Sequence, residues 1–365
     1  MELFQPDNFS TAEITYRPSS RQPGFFYPIL RRYIPNCQIE SVAELEHPAF
    51  NTENFKVVLS DGVARRVVLV RKYKSIQPEQ INFYVGIIDQ LLQGGVAAVH
   101  FLKTADADRP ETQYDGAWYA VADFIEARHF FPTQENYAAS ARAIARLHRA
   151  LQALPPATVE RVDQLSQQGY TYFNIVKQYT VSDFEYFKEF LAKHPAPTQT
   201  ERLVLEHIDL CLGLAERIAR RDAELHALPR QIIHSDLRPH NLLVDQTGRI
   251  IILDFDGMRL SQRGRDIAFA IYRLGRQFGA AARQSYDGGQ AIELKKIFLG
   301  AYQTVTPIDP AEEQLLGHLL CDEFLRKLLF VLRSAYVDGQ DTFRKEIPKF
   351  LAALREINYF WPEDV

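Results

Sequence analysis

Acidic and amide side chains are concentrated in one short stretch of this 365-residue chain. Asp236 is followed five residues later by Asn241, and Asp254 and Asp256 come directly after an apolar run. A magnesium ion prefers hard oxygen ligands, which an amide and a carboxylate supply. Asp236, which is close to these ligands in the chain, can accept the proton of an attacking hydroxyl group. These residue types and spacings predict in-line phosphoryl transfer from a nucleoside triphosphate.

Two predicted strands position the metal-binding side chains. Residues 241–244 and 249–253 are mostly apolar, and the turn between them offers Gly248 for a left-handed position. Antiparallel pairing brings Asn241, where the first strand starts, close to Asp254, where the second ends. We therefore expect Asn241 and Asp254 to bind the metal, with Asp256 joining this ion or a second one.

The same stretch resembles a known superfamily. Residues 234–241 (HSDLRPHN) look like the catalytic loop of protein-kinase-like enzymes, and residues 254–256 (DFD) look like their metal-binding triplet. The closer match is the branch with aminoglycoside phosphotransferases, choline kinases and one type of homoserine kinase, in which the third triplet residue is often acidic. Residues 265–268 (RDIA) are similar to the motif that braces the catalytic loop in that branch.

The resemblance implies roles for three residues of the loop. Asp236 is the base. His234 is expected to brace the loop through a backbone hydrogen bond. Arg238 is expected to neutralise charge on the moving phosphoryl group, although a salt bridge within the loop is an alternative.

The spacing after the triplet distinguishes this chain from protein kinases. Only eleven residues separate Asp254 from Asp266, and no Ala-Pro-Glu triplet follows. A protein kinase needs a longer activation segment there to hold its peptide substrate. The spacing therefore favours a small-molecule acceptor.

The amino-terminal part resembles the nucleotide-binding lobe of the same enzymes. Residues 38–45, 55–60 and 66–71 have the composition of strands. By resemblance to choline kinases, Arg71 replaces the usual lysine and holds the α- and β-phosphates of ATP. Lys72 follows it, but alternation along a strand allows only one of the two to point inward.

Two segments depart from the family pattern. Residues 46–55, which contain Asn51, resemble the phosphate-covering loop of homoserine-kinase-like proteins but have no glycine, so the closest backbone approach to phosphate is lost. Residues 78–93 form the following helix, in which the family carries a glutamate that pairs with the strand cation. Here its glutamate is Glu79 in the first turn, a position that also suits a helix amino terminus.

Residues 118–125 resemble the hinge that binds adenine through backbone groups, with the Asp123 carbonyl and the Ile125 amide as candidates. The predicted fold is α+β, a bilobal protein-kinase-like fold. Residues 1–125 form a small amino-terminal lobe with an antiparallel sheet. Residues 126–365 form a larger, mainly helical lobe that carries the catalytic and acceptor sites.

Composition excludes several other classes of protein. The net charge of −4 and the absence of a basic patch argue against a nucleic-acid partner. Three widely spaced cysteines predict neither a zinc site nor a disulfide framework. No apolar run approaches membrane-spanning length and no signal peptide is recognisable. We expect a cytoplasmic monomer or homodimer that does not bind membranes.

The sequence thus predicts an ATP- and Mg²⁺-dependent kinase of a small hydroxyl compound, such as an amino alcohol, an aminoglycoside or a sugar-like acceptor. Asp322 and Glu323 can meet a cationic acceptor, or form a solvated helix face paired with Arg326 and Lys327. Two alternatives stay open: a pseudokinase that binds nucleotide without turnover, and a nucleotidyltransferase on the same fold.

Overall fold

The computed structural model describes residues 13–46, 52–74, 76–167, 179–282 and 288–362. The described residues form two compact units. The sheet unit contains Thr11–Phe131 and His240–Asp256, and the helical unit contains Pro132–Pro239 and Gly257–Val365. The predicted assignment of functional lobes to residues 1–125 and 126–365 stays a prediction.

The strands of the described residues are β1 (Tyr16–Pro18), β2 (Gln38–Leu45), β3 (Thr52–Ser60), β4 (Arg65–Tyr73), β5 (Glu111–Tyr114), β6 (Ala117–Asp123), β7 (Ala127–His129), β8 (Arg230–Ile233), β9 (Leu242–Asp245), β10 (Ile250–Ile252) and β11 (Arg259–Gln262).

The helices are α1 (Tyr27–Leu30), α2 (Pro78–Gln93), α3 (Gln134–Gln152), α4 (Pro156–Gln167), α5 (Val181–Ala192), α6 (Gln199–Arg220), α7 (Asp222–Ala227), α8 (Arg263–Ala282), α9 (Gly288–Gln303), α10 (Pro310–Gln314), α11 (Leu316–Tyr336) and α12 (Ile347–Phe360). Short 3-10 helices cover Pro23–Phe26, Pro239–Asn241, Phe255–Gly257 and Asp341–Glu346.

The main sheet of the sheet unit is antiparallel, with strand order β1-β2-β3-β4-β6-β5. Its period-2 alternation buries Val57 of β3 and Val68 and Val70 of β4, which pack with Phe26 and Ile29. The predicted strands at 38–45, 55–60 and 66–71 are confirmed. The central strand β4 pairs with both β3 and β6, and this register fixes the face of the sheet to which each of its side chains points.

Helix α2 has the bounds that the sequence predicts. Pro78 stands at its first position, where a missing N–H costs no hydrogen bond. Ile81, Val85 and Ile88 are buried on one face of the helix. Near its carboxyl end Leu91 is fully buried, whereas Leu92 is half-buried.

A second sheet of the sheet unit has strand order β10-β9-β7. Strands β9 and β10 form the predicted hairpin, with Ile250 opposite Val244 and Ile252 opposite Leu242. Gly248 has a φ of 79° in the turn, so the left-handed conformation that the sequence predicts there is present. The hairpin places the residues before β9 beside the residues after β10.

The helical unit is organised around a small sheet and packed helices. Strands β8 and β11 pair antiparallel. Helix α8 lies against α11 so closely that a Cβ on Gly264 would come within 2.6 Å of Leu319. The helical sequence is interrupted at Arg221, between α6 and α7, and at Leu315, between α10 and α11, where the backbone leaves helical geometry (φ −104° and −99°). Within the described ranges, no helix has the length and apolarity needed to cross a membrane.

Candidate active site

The loop after β8 is held in a strained conformation by a buried carboxylate. Ser235 has a φ of 63°, in the left-handed region that residues other than glycine rarely adopt. The amides of His234 and Ser235 donate to Asp266 Oδ2 and Oδ1 at 2.7 and 2.8 Å. Asp266 is 1% exposed, so these charge-assisted bonds form away from water. The placement of Asp266 agrees with its expected role as a brace of this loop.

A second pair of contacts fixes Asp266 itself. His148 Nε2 of α3 lies 3.2 Å from Asp266 Oδ2, and its Nδ1 lies 2.8 Å from the Tyr302 hydroxyl of α9. His148 is fully buried. The Asp266 carboxylate is therefore held by His148 of α3, and His148 is held in turn by Tyr302 of α9.

Asp236 follows the strained residue and remains accessible. Its side chain is 18% exposed, and its carboxylate lies 3.0 Å from Arg238 Nε. Burial by itself raises the pKa of Asp236, but Arg238 and then Lys327 outweigh it and hold the pKa below its ordinary range. The carboxylate is therefore ionised at neutral pH and can accept a proton.

The structure places the other two predicted loop residues next to Asp236. The amide of Asp236 donates to His234 Nδ1 at 3.3 Å, and the amide of His234 is bonded to Asp266. Arg238 forms a salt bridge with Asp236 within the loop, which is the alternative that the sequence left open for this residue. Its contact with a moving phosphoryl group stays a prediction.

Lys327 is a charged neighbour of Asp236 that sequence reasoning assigned only to a helix face. Its side chain is 4% exposed, and its ammonium lies 3.3 Å from Glu323. Burial lowers its pKa, and the charges of Glu323 and Asp236 oppose that effect. The signal that could have found it is helical spacing, since Phe324 and Val331 lie on the same face of the helix as Lys327 and predict a buried position.

The acids on α11 are buried and paired. Asp322 lies 2.5 Å from Arg265 and 2.9 Å from Arg326, and Glu323 lies 2.6 Å from Arg259. The predicted pairings one turn apart are confirmed, but the helix face is not solvated, because both acids are less than 5% exposed. These carboxylates stabilise buried arginines and are already engaged.

In the sheet unit, the hairpin of β9 and β10 presents the predicted metal ligands. The amide of Leu253 donates to the Asn241 carbonyl at 2.9 Å, so the residue before β9 and the residues after β10 are neighbours. Asn241 is buried, whereas the side chains of Asp254 and Asp256 are 37% and 27% exposed. Asp254 has a φ of 65°, which marks the second strained residue of this stretch.

Arg71 of β4 reaches the same carboxylates. Its Nη2 lies 3.2 Å from Asp254 Oδ1 and 3.6 Å from Asp256 Oδ2, and its guanidinium lies 5.3 Å from the centre of the Tyr73 ring. Burial by itself lowers the pKa of Arg71, but Asp256, Tyr73 and Asp254 outweigh it and raise the pKa above its ordinary value. The guanidinium therefore stays protonated. Lys72 points to the other face and pairs with Glu53.

The donor set fits a hard divalent cation. An amide oxygen from Asn241 and carboxylates from Asp254 and Asp256 are the ligand types that Mg²⁺ takes, together with water and phosphate oxygens. Among the residues that the structure describes, no group of three or more His, Cys, Asp or Glu side chains forms a complete cation site.

Of the predicted nucleotide-binding residues beyond Arg71, the structure describes Asp123 and Ile125. Asp123 ends β6, and its amide donates to the His100 carbonyl at 2.9 Å while Ile125 follows between strands, half-buried. Their contact with adenine stays a prediction. Asn51 lies outside the described residues, and residues 52–55 of the predicted phosphate-covering segment belong to β3, which begins at Thr52.

Comparison with known proteins identifies the fold. An aminoglycoside phosphotransferase from Alicyclobacillus acidocaldarius is 19% identical over 93% of this chain and 97% of its own, with a TM-score of 0.62. A spectinomycin phosphotransferase in complex with ADP and spectinomycin is 13% identical over 95% and 100%, with a TM-score of 0.67. A microcompartment-associated aminopropanol kinase is 16% identical over 94% and 98%, with a TM-score of 0.61. These similarities confirm the predicted α+β kinase-like fold.

Sequence comparison identifies the family. No curated protein matches the sequence. Residues 47–297, which are more than half of the chain, match the phosphotransferase enzyme family. This match confirms the enzyme class that the residues predict. The chain therefore belongs to the phosphotransferase enzyme family.

Proposed function

We propose that this protein is a kinase that transfers the γ-phosphoryl group of ATP to an alcohol hydroxyl of a small molecule. The observation that carries the proposal is Asp236: an ionised, accessible carboxylate that follows a loop locked by Asp266. A proton acceptor must be ionised, within reach of solvent and fixed in direction. Asp236 has all three properties.

The catalytic loop orients and deprotonates the acceptor. Asp236 accepts the hydroxyl proton as the oxygen attacks phosphorus. Arg238, 39% exposed and 3.0 Å from this carboxylate, supplies positive charge next to it. Because the neighbouring cations lower the pKa of Asp236, the carboxylate is a weak but fully ionised base, which suits a transfer in which proton removal comes late.

The sheet unit holds the phosphates and the metal in this proposal. Arg71 binds the phosphates that are not transferred, because a guanidinium matches phosphate oxygens with several donors. Asn241, Asp254 and Asp256 hold Mg²⁺, which when bound neutralises charge on the phosphates. Asp123 and Ile125 offer backbone groups to adenine.

The buried acids of α11 narrow the acceptor class. A polycationic aminoglycoside needs accessible carboxylates, yet Asp322 and Glu323 are engaged by arginines and less than 5% exposed. We therefore favour an amino alcohol or a sugar-like acceptor. Proteins of similar fold include a spectinomycin phosphotransferase and an aminopropanol kinase, so the fold itself does not select one acceptor. The expected cytoplasmic location and the monomer or homodimer stay predictions.

An ATP-consumption assay against a panel of small hydroxyl compounds tests the proposal. Asp236→Asn should reduce turnover by about 10²- to 10⁴-fold. Asp209→Asn, which changes an exposed carboxylate of α6, is the matched control and should leave turnover unchanged. Stabilisation by ATP without turnover on any acceptor indicates a pseudokinase instead, and release of pyrophosphate in place of ADP indicates a nucleotidyltransferase.

A further inference from the structure

The predicted metal ligands of the sheet unit already have a cation beside them. The guanidinium of Arg71 lies 3.2 Å from Asp254 and 3.6 Å from Asp256. The arginine side chain is 17% exposed, and its ring partner Tyr73 restrains it further. A guanidinium and a divalent cation at the same carboxylates repel each other over a few ångströms.

The same arginine has a spare donor. Within the described part of the chain, Arg71 Nε is buried and has no hydrogen-bond partner. A buried donor without a partner is costly, and a phosphate oxygen would satisfy it. Helix α2 brings Tyr84 near Asp256. Within the described residues, the ion pairs of Arg71 are with Asp254 and Asp256, which both belong to the predicted metal-binding triplet.

Building on the proposed function, we propose that Arg71 and a divalent cation compete for Asp254 and Asp256. In the free protein the guanidinium neutralises these carboxylates. When ATP binds, its phosphates take Arg71, and the metal ion takes the carboxylates that Arg71 leaves. Arg71 thus exchanges the carboxylates for the phosphates as the metal ion takes the carboxylates. Metal binding therefore depends on nucleotide, and without nucleotide Asp254 and Asp256 have little affinity for free cations.

Binding of Mn²⁺ without nucleotide, followed by electron paramagnetic resonance, tests the competition. Wild-type protein should bind Mn²⁺ weakly. Arg71→Met and Arg71→Gln remove the competing charge and should tighten Mn²⁺ binding roughly tenfold or more. Arg71→Lys keeps the charge and should bind Mn²⁺ about as weakly as the wild type. Thermal unfolding adds a second readout, because Mn²⁺ should raise the melting temperature of the neutral variants and not that of the wild type.

Two controls locate the effect. Arg17→Met removes a surface arginine paired with Glu44 at 2.8 Å and should leave Mn²⁺ affinity unchanged. Asp254→Asn in the Arg71→Gln background should abolish the gain. Equal Mn²⁺ affinity in the wild type and both neutral variants, or a gain in Arg71→Lys as large as in Arg71→Met, overturns the competition.

The outcome separates this inference from the kinase proposal. The expected Mn²⁺ behaviour without ATP turnover contradicts the kinase proposal alone. Turnover together with unchanged Mn²⁺ affinity of the neutral variants contradicts the competition alone.

Discussion

Removal of the Asp266 carboxylate should be among the most damaging single changes in the helical unit. Three donors converge on it: the amides of His234 and Ser235 at 2.7 and 2.8 Å and His148 Nε2 at 3.2 Å. Asp266→Ala leaves two buried amides without an acceptor, at about 1–3 kcal/mol each. It also leaves the left-handed Ser235 without support, which adds about 1 kcal/mol. We expect a loss of about 3–7 kcal/mol in the free energy of unfolding.

Urea-induced unfolding measures this loss, and Asp266→Asn adds a graded test. Asparagine keeps one acceptor oxygen, so we expect roughly half of the effect. Asp209→Ala is the control, since this aspartate of α6 is 77% exposed and pairs with Lys188 on the surface, where such a pair contributes less than about 1 kcal/mol. A loss below about 1 kcal/mol for Asp266→Ala would refute the view that this carboxylate holds the loop.

Three further outcomes are expected. In a pH–rate profile, the loss of activity at acidic pH that reflects protonation of Asp236 should occur below the ordinary pKa range of aspartate. In Arg238→Met this loss should move to higher pH, because the cation that lowers the pKa of Asp236 is removed. Glu323→Ala should cost about 3–5 kcal/mol in urea unfolding, since buried cations lose their counter-charge, whereas an unchanged midpoint contradicts this. Gly264→Ala should destabilise by about 1–3 kcal/mol because its Cβ meets another helix, while Gly213→Ala, which has open space, should stabilise by up to about 1 kcal/mol, and calorimetry compares the two.

Local patterns were sufficient to predict the parts of the site that lie close together in the chain. Two apolar runs and a glycine turn predicted the hairpin of β9 and β10. The start of α3 has a similar local signal, since Thr133 accepts from the Asn136 amide. Each of these signals comes from one short stretch of the chain, and tertiary packing did not override them.

Contacts between distant segments were harder to predict. Arg71 and Asp254 are 183 residues apart, and strand periodicity places Arg71 on the correct face without saying which acid it meets. The buried position of Lys327 depends on how α11 packs against its neighbours. The sequence does not predict the helix ends at Arg221 and Leu315, because a helical pattern continues through both residues. The packing of the segments decides where each helix ends.

The two strained residues of the site show how the fold supports reactive positions. Ser235 and Asp254 have φ values of 63° and 65°, which cost an L-residue roughly 1–3 kcal/mol, and each lies two residues after the end of a strand. Ser235 is held by a hydrogen bond from its own amide to Asp266, within the helical unit. Asp254 is held within the sheet unit by the hairpin behind it and by its ion pair with Arg71. Because that ion pair is the contact that the metal would replace in our proposal, Asp254 would keep a cationic partner after the exchange, whereas the hydrogen bond that holds Ser235 takes no part in the exchange.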